Sequence, residues 1–297
     1  MTKILSIVAA TDFSVGSNAA VERAVQLAVA HGASLHLVHS FDISAWHSLK
    51  EVFDLQEFVC DPPPDVLMRR RLVDKATALQ AQTGLKVVTE FGTGAAHTVI
   101  EAHVKAHASS LVVVGSRADP AAMGLGSTAA KVVRSAACPV LVVRMPAAAP
   151  YDKVLTAVDV SEGSTHAAAF AVALFPIAHH HLLYLLDPGL DRALWMGGIT
   201  AEHARAQRDS MHAHAARELQ QLARALAREA THPVTVDVVE DVPARAIVAA
   251  AGSMPADCVV VGHHGPGAHA ERLLGNLAQH VVYQTTRDVL VVPAVPG

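Results

Sequence analysis

Short apolar runs alternate along this chain with longer segments in which Ala, Val and Leu recur at helical spacing. Ile4 to Ala10 is unbroken in its apolar character, as expected of a strand covered on both faces of a parallel sheet. Ser17 to His31 carries the helical pattern and stops at Gly32, where a helix end favours a left-handed residue. The pattern then predicts strands at Leu35–Ser40, Leu85–Thr89, Leu111–Val114 and Val140–Val143. Between them it predicts helices at Arg69–Thr83, Ala95–Ala108 and Ser127–Ala137. Further strands are expected at Val154–Val158, Leu182–Leu186, Val234–Val239, Cys258–Val261 and Val289–Val292, with one long helical pattern over Thr200–Ala230. Strands alternating with helices imply an α/β fold with a parallel, doubly wound sheet.

The pattern occurs twice. Val-Val-Val-Gly stands at Val112–Gly115 and at Val259–Gly262, and Asp-x-Ser-x-Gly-Ser at Asp12–Ser17 and Asp159–Ser164, each pair 147 residues apart. Val-Leu-Val-Val stands at Val140–Val143 and Val289–Val292, 149 apart. The chain therefore reads as a duplication: a first domain over 1–145, a linker at 146–150 and a second domain over 151–294. On this reading the spacing stays at 147 up to Gly115 and Gly262 and becomes 149 from Gly126 and Gly275, so the difference falls within the loop between them. Longer connections, Phe41–Val66 and Pro188–Ile199, follow the second strand of each copy, and loops of this kind often carry specificity.

Composition narrows the picture. The 297 residues suffice for two ordinary domains, and 52% hydrophobic against 17% charged content allows a large core. Only 4% are aromatic, so the cores should be built from Ala, Val and Leu. A net charge of -4 offers no basic face for nucleic acid, and no apolar run reaches the length of a membrane span. Met1–Ala10 reads as a mature strand rather than a signal peptide, which makes a cytoplasmic location the default. Cys60, Cys138 and Cys258 show no paired spacing, against a disulfide framework or a zinc site.

In an open α/β sheet, ligands bind beyond the carboxyl ends of strands where the winding reverses. If the first and fourth strands flank that point, Asp12 comes beside Gly115, and Asp159 beside Gly262. The stretch Ser116–Thr128 leads small residues into a helix start, whose free N–H groups and hydroxyls suit an anion. The plainer alternative is a flexible loop with Ser127 as helix N-cap. Asp12 and Asp159 likewise fit either a ligand role or a capping turn. Neither loop is a P-loop or contains a lysine, and Arg117 and Arg272 are the nearest cations.

Val-Ala-Thr-Asp-Phe-Ser (Val8–Ser14), the Val-Val-Val-Gly strand, the Gly-Ser loop and Ala-Cys-Pro-Val-Leu-Val-Val (Ala137–Val143) together resemble the universal stress protein family, in its tandem-domain form. The resemblance implies two Rossmann-like domains, each an open five-stranded parallel sheet of order 3-2-1-4-5. It implies homodimers formed through the terminal strands and, in some members, an ATP site, ATP being taken with or without Mg²⁺. Nucleotide-binding members carry Gly-x2-Gly-x9-Gly-Ser/Thr. The second copy has Gly262, Gly265 and Gly275 at that spacing, with Asn276 in place of the hydroxyl residue. The first keeps Gly115 and Gly126-Ser127, but Ala118 replaces the middle glycine and the loop is two residues shorter. Carried over by position, Asp12 or Asp159 would hold the ribose, and Gly115 or Gly262 would lie against adenosine. Ser40 or Leu185 would line the adenine pocket. Gly126, Ser127 and Thr128, or Gly275, Asn276 and Leu277, would meet the phosphates. Because Asn276 still donates a hydrogen bond while a shorter loop changes its whole path, the second site ranks above the first.

The function expected is a stress-response protein in which an adenine nucleotide regulates shape or partner contacts, without enzymatic turnover. The alternative is a nucleotide-free dimeric interaction module, and a slow ATPase is the weakest option because no general base stands out. Histidine is abundant. His179-His180-His181 and the His103/His107 pair lack an accompanying acidic or cysteine ligand set, so they read as solvated or capping residues. His263 and His264 fall inside the second candidate loop, where they would either meet an anion when protonated or face water. Arg69-Arg70-Arg71 reads as a solvated face, and Cys60 as a loop thiol with nothing nearby to lower its pKa.

Overall fold

The computed structural model describes residues 3–54, 61–117, 124–186, 200–263 and 275–294. The chain divides into two compact units, Lys3–Ala148 and the residues from Ala149 onward. The first contains β1 (Ser6–Ala10), α1 (Val15–His31), β2 (Ser34–Phe41), α2 (Ile43–Val52), α3 (Pro64–Thr83), β3 (Val87–Thr93), α4 (Ala96–His107), β4 (Leu111–Gly115), α5 (Ser127–Ser135) and β5 (Val140–Val143). Its strands lie in the order β3-β2-β1-β4-β5, and the neighbours pair in parallel. The second contains β6 (Lys153–Val158), α6 (Glu162–Leu174), β7 (His179–Leu186), α7 (Ala201–Leu226), β8 (Thr235–Glu240), α8 (Pro243–Ser253), β9 (Cys258–Gly262), α9 (Asn276–Gln284) and β10 (Asp288–Val292). Its order, β8-β7-β6-β9-β10, is again parallel and repeats the first. The chain is thus a doubly wound α/β fold used twice.

The apolar runs account for this arrangement. Ile7, Val8 and Ala9 of β1 and Leu111, Val112 and Val113 of β4 have no solvent exposure, because each central strand is covered by helices on both faces. α1 starts where the Ser14 hydroxyl accepts from Ser17 N, and it ends at Gly32 in the left-handed conformation, φ 62°. Cys138 and Cys258 are buried free thiols, and Cys60 lies outside the described residues. Burial pushes the Cys138 thiol up to about 12, which keeps it protonated and inert.

Three expectations are corrected. The third strand runs Val87–Thr93, later than Leu85–Thr89: β3 is the edge of its unit and half-buried, so it accepts Glu90 and Gly92, which interrupt the apolar run. The connection after β2 contains the helix α2, and α3 begins at Pro64, in the first helical turn where proline is tolerated, rather than at Arg69. β7 begins at His179, so the three histidines stand within a strand.

The register also changes the account of the duplication. Ile7 pairs with Leu35 but Val154 with His180, so the stretch holding α6 is two residues shorter than that holding α1. Leu35 pairs with Val87 and His181 with Thr235, so the next connection of the second unit is two residues longer and restores the spacing. The loop after the fourth strand is one of several places where the copies differ, not the sole one.

Candidate functional site

β1 and β4 lie side by side at the point where the winding of the first unit reverses, as Val8↔Val112 and Ala9↔Val113 pairs. Beyond their carboxyl ends opens a cavity of about 470 Å³, lined by Thr11, Asp12 and Ser14 at one rim and by Arg117, Gly126, Ser127 and Thr128 at the other. Val38 and Ser40 of β2, Ala96 and Ile100 of α4 and Val114 of β4 also line it, most of them apolar. The topology thus brings together Asp12, Ser40, Gly115, Gly126, Ser127 and Thr128.

The Asp12 rim is a hydrogen-bonded turn. Ser14 N donates to Asp12 Oδ1 at 3.0 Å, Asp12 N donates to Ser17 Oγ at 3.3 Å, and Phe13 N to Thr11 Oγ1 at 3.1 Å. Burial works to raise the Asp12 carboxyl, but hydrogen bonds from Ser14 and Ser17 outweigh it and hold the group below its ordinary value, so it stays ionised. Asp159 repeats the motif: Ser161 N donates to its Oδ1 at 3.0 Å, and its own N donates to Ser164 Oγ at 3.2 Å. The residue after each aspartate is left-handed, Phe13 at φ 64° and Val160 at φ 61°. For the β-branched Val160 this is strained backbone, and strain kept at matching points of two units marks a turn that the surrounding contacts over-determine.

At the other rim, Gly126 N donates to Ser116 O at 2.6 Å and Ser116 N to Val143 O at 2.9 Å, closing the loop between β4 and α5. The second unit has the same closure: Gly275 N to His263 O at 2.8 Å, and His263 N to Val292 O at 2.8 Å. The N-caps of α5 and α9 are Gly126 and Gly275, with no side-chain cap bond at either. Ser127 is therefore the first helical residue rather than the cap, because the chain enters the helix through glycine. The first turn of α5 presents N–H groups and the Ser127 and Thr128 hydroxyls at the cavity, an arrangement that suits an anion.

Ser40 lines the cavity, but its hydroxyl is committed to Gly94 O at 2.6 Å. Gly115 has a second reason to be glycine: a Cβ there would fall 2.6 Å from Gly16 O. Arg117, which the sequence offers as the nearest cation to the first loop, lines the cavity. It stands two residues beyond the fourth strand, and its Nε is shielded, with no hydrogen-bond partner among the described residues.

In the second unit Asp159, Leu185, Gly262, Gly275, Asn276 and Leu277 occupy the matching positions, with Leu185 half-buried on β7. Gly265, His264 and Arg272 lie outside the described residues, as do Ala118 of the first loop and the connection Pro188–Ile199. His263 is buried.

Of the histidines expected to be solvated or capping, His103, His180 and His181 are instead buried. His103 packs beneath α4 on His36, which sequence reasoning did not single out, with His36 Nδ1 and His103 Nε2 2.8 Å apart. His107 stacks against His103, ring centroids 4.3 Å apart. In the second unit His180 Nε2 donates to Phe175 O at 2.9 Å, His181 Nδ1 lies 2.8 Å from Thr235 Oγ1, and both rings are buried. His107 and His179 are exposed, His179 beside Asp152 at 3.2 Å. No group of His, Cys, Asp and Glu among the described residues is arranged to hold a metal ion. Arg69, Arg70 and Arg71 are exposed, as expected of a solvated face, and Arg69 and Arg71 also lie over the rings of Phe91 and Phe13 at 4.3 and 4.9 Å from the centroids.

The model of the universal stress protein family matches residues 4–144 and again 150–293. A universal stress protein from Archaeoglobus fulgidus DSM 4304 superposes with a TM-score of 0.68 at 19% identity, covering 99% of this chain and 100% of that one. A functionally unknown protein from Pseudomonas aeruginosa PAO1 superposes with a TM-score of 0.66 at 18% identity, covering 98% and 93% respectively. At these identities the likeness is one of fold. A search of the curated proteins finds none that matches the chain. Among the described residues, no helix is long and apolar enough to cross a membrane.

Proposed function

The chain belongs to the universal stress protein family, matched in both halves, and from that premise we propose that it binds an adenine nucleotide, ATP, in the cleft of its first unit as a regulatory ligand. The observation that carries this reading is the bipolar lining of the 470 Å³ cavity. The ionised Asp12 stands at one rim, Arg117 and the first turn of α5 at the other, and apolar walls lie between. A ribose has hydroxyls to donate to a carboxylate, a phosphate chain needs N–H groups and positive charge, and a purine fills an apolar slot. Family resemblance at the level of sequence ranked the second unit first. The reading is placed in the first because a carboxylate, a cation and the two hydroxyl residues Ser127 and Thr128 line one cavity there. We assign binding rather than turnover, in a protein of the stress response acting from the cytoplasm and assembling as a homodimer through its terminal strands.

The test is calorimetry with ATP and Mg²⁺ on the full chain stripped of bound ligand. Heat of binding is expected, and Ala96→Trp, which puts a large ring on a half-buried lining position, should abolish it. No heat at millimolar ATP would sink the proposal. Binding that survives Ala96→Trp would move the site elsewhere.

A further inference from the structure

We propose that Arg117 reads the phosphate chain and sets a preference of the cleft for nucleotides over nucleosides; this rests on the cleft being a nucleotide site. Among its described lining residues, Arg117 is the sole cation. The other arginine nearby, Arg144, is engaged: its Nη1 donates to Gly124 O at 2.9 Å. Arg144 does not line the cavity, whereas Arg117 does. The Arg117 Nε is shielded and has no acceptor among the described residues. An Nε without accessible surface does not reach a ligand, so the terminal nitrogens are the donors that Arg117 offers.

The loop glycines make room for this side chain. Gly124 is left-handed at φ 90°, and a Cβ on it would lie 3.3 Å from Arg117 Nη2. A Cβ on Gly126 would lie 3.8 Å from Arg117 Cγ. The side chain therefore runs alongside the loop that closes on Ser116 O, its stem by Gly126 at the start of α5 and its guanidinium by Gly124. Its planar fork matches a phosphate in two parallel bonds, and it keeps its charge at every physiological pH. Asp12, at the far rim, repels phosphate and attracts hydroxyls. The two charges thus orient the ligand: the nucleoside end fits without Arg117, and the phosphate end depends on it.

A purely structural role, holding the glycine loop in shape, would affect every ligand alike. The experiment separates the two. Adenosine, AMP, ADP and ATP are titrated calorimetrically, with Mg²⁺, into the wild-type chain, Arg117→Gln and Arg117→Lys, and thermal melts accompany each variant. Affinity is expected to rise along the series in the wild type. Arg117→Gln should lower ATP affinity roughly 10- to 100-fold, as for loss of a charged hydrogen bond, and leave adenosine within about twofold. Arg117→Lys should recover part of the loss, since it restores charge without the fork. An equal fall for adenosine and ATP, or no change in either, would overturn the role of Arg117 and leave the nucleotide reading standing. A wild-type chain that binds none of the four would overturn both.

Discussion

At Gly115 a hydrogen in place of a methyl group lets the end of β4 rest on the first turn of α1. An added Cβ would fall 2.6 Å from Gly16 O and 3.0 Å from Ser17 N, both of them backbone atoms that cannot swing away. Gly115→Ala should therefore destabilise the first unit by about 1–3 kcal/mol, the usual range for overpacking. A thermal melt lowered by several degrees would bear this out, and an unchanged melt would refute it. Sequence reasoning gave these glycines a single purpose, clearance for a ligand, because spacing cannot reveal what packs on a residue from a distant segment. The same limit applies to the aspartates. The Asp12 and Asp159 motifs were legible, but whether they turn the chain or meet a ligand was left open, and the turn bonds at Ser14 and Ser161 show that the first is true in both units. Val160 provides a second test at this scale. Its left-handed backbone at φ 61° disfavours a β-branched side chain, whereas asparagine tolerates it. Val160→Asn should raise the stability of the second unit by about 1 kcal/mol, measured by denaturant melts, provided the gain in backbone ease exceeds the loss of the half-buried methyl groups.

Helix α4 carries the cleft at one end and an imidazole cluster at the other. Ala96 and Ile100 line the cavity, while His103 and His107 sit against His36 on β2. Ser34 Oγ lies 3.2 Å from His36 Nε2, and Glu90 Oε2 on β3 lies 3.7 Å from His103 Nδ1. One imidazole must donate across the 2.8 Å contact and the other accept, so the pair cannot take up a full complement of protons without setting two donors against each other. Burial, joined by the neighbouring charges of His103, His107 and Lys86, depresses His36 to about 4. Burial and His107 depress His103, against the opposing pull of Glu90. The unfolded imidazoles protonate near pH 6.5, so between there and about pH 4 the folded state binds fewer protons. Stability is therefore fully present above pH 6.5 and falls as the pH is lowered through that window. His180 and His181, lowered chiefly by burial, push the second unit in the same direction. Denaturant melts from pH 7.5 to 4.5 should show this slope, and His36→Leu should flatten it for the first unit alone; a slope that His36→Leu leaves intact would refute the assignment. This cluster was invisible in the sequence because His36 and His103 are 67 positions apart and meet only through the β2–α4 packing. The helices and strands themselves were legible from periodicity. Those misplaced were the edge strand β3 and helix α2, where partial exposure weakens the pattern that identifies buried elements.

Duplication is the feature of the whole molecule most plainly written in the sequence, and the two strand orders bear it out. The equivalence of the two sites does not follow from it. Both units keep the aspartate turn, the glycine-capped helix after the fourth strand and the same closing hydrogen bond, yet the loops between differ in length and the units exchange two residues around the second strand. Ser40 against Leu185, and Ser127-Thr128 against Asn276-Leu277, alter the polar groups each offers a ligand. If ATP occupies the first cleft, its binding energy stabilises only the elements that hold it, by about 2.7 kcal/mol at a ligand concentration 100 times the dissociation constant. Hydrogen exchange at saturating ATP should then slow in the Thr11–Ser17 turn, in the first turn of α4 and at the start of α5. Rates in the corresponding parts of the second unit, the Asp159–Ser164 turn and the starts of α8 and α9, should not change. Protection confined to the second unit would return the site to where spacing alone had ranked it. Protection of both would mean that the uncapped helix ends and aspartate turns suffice, and that Arg117, Ser127 and Thr128 refine a site both copies possess.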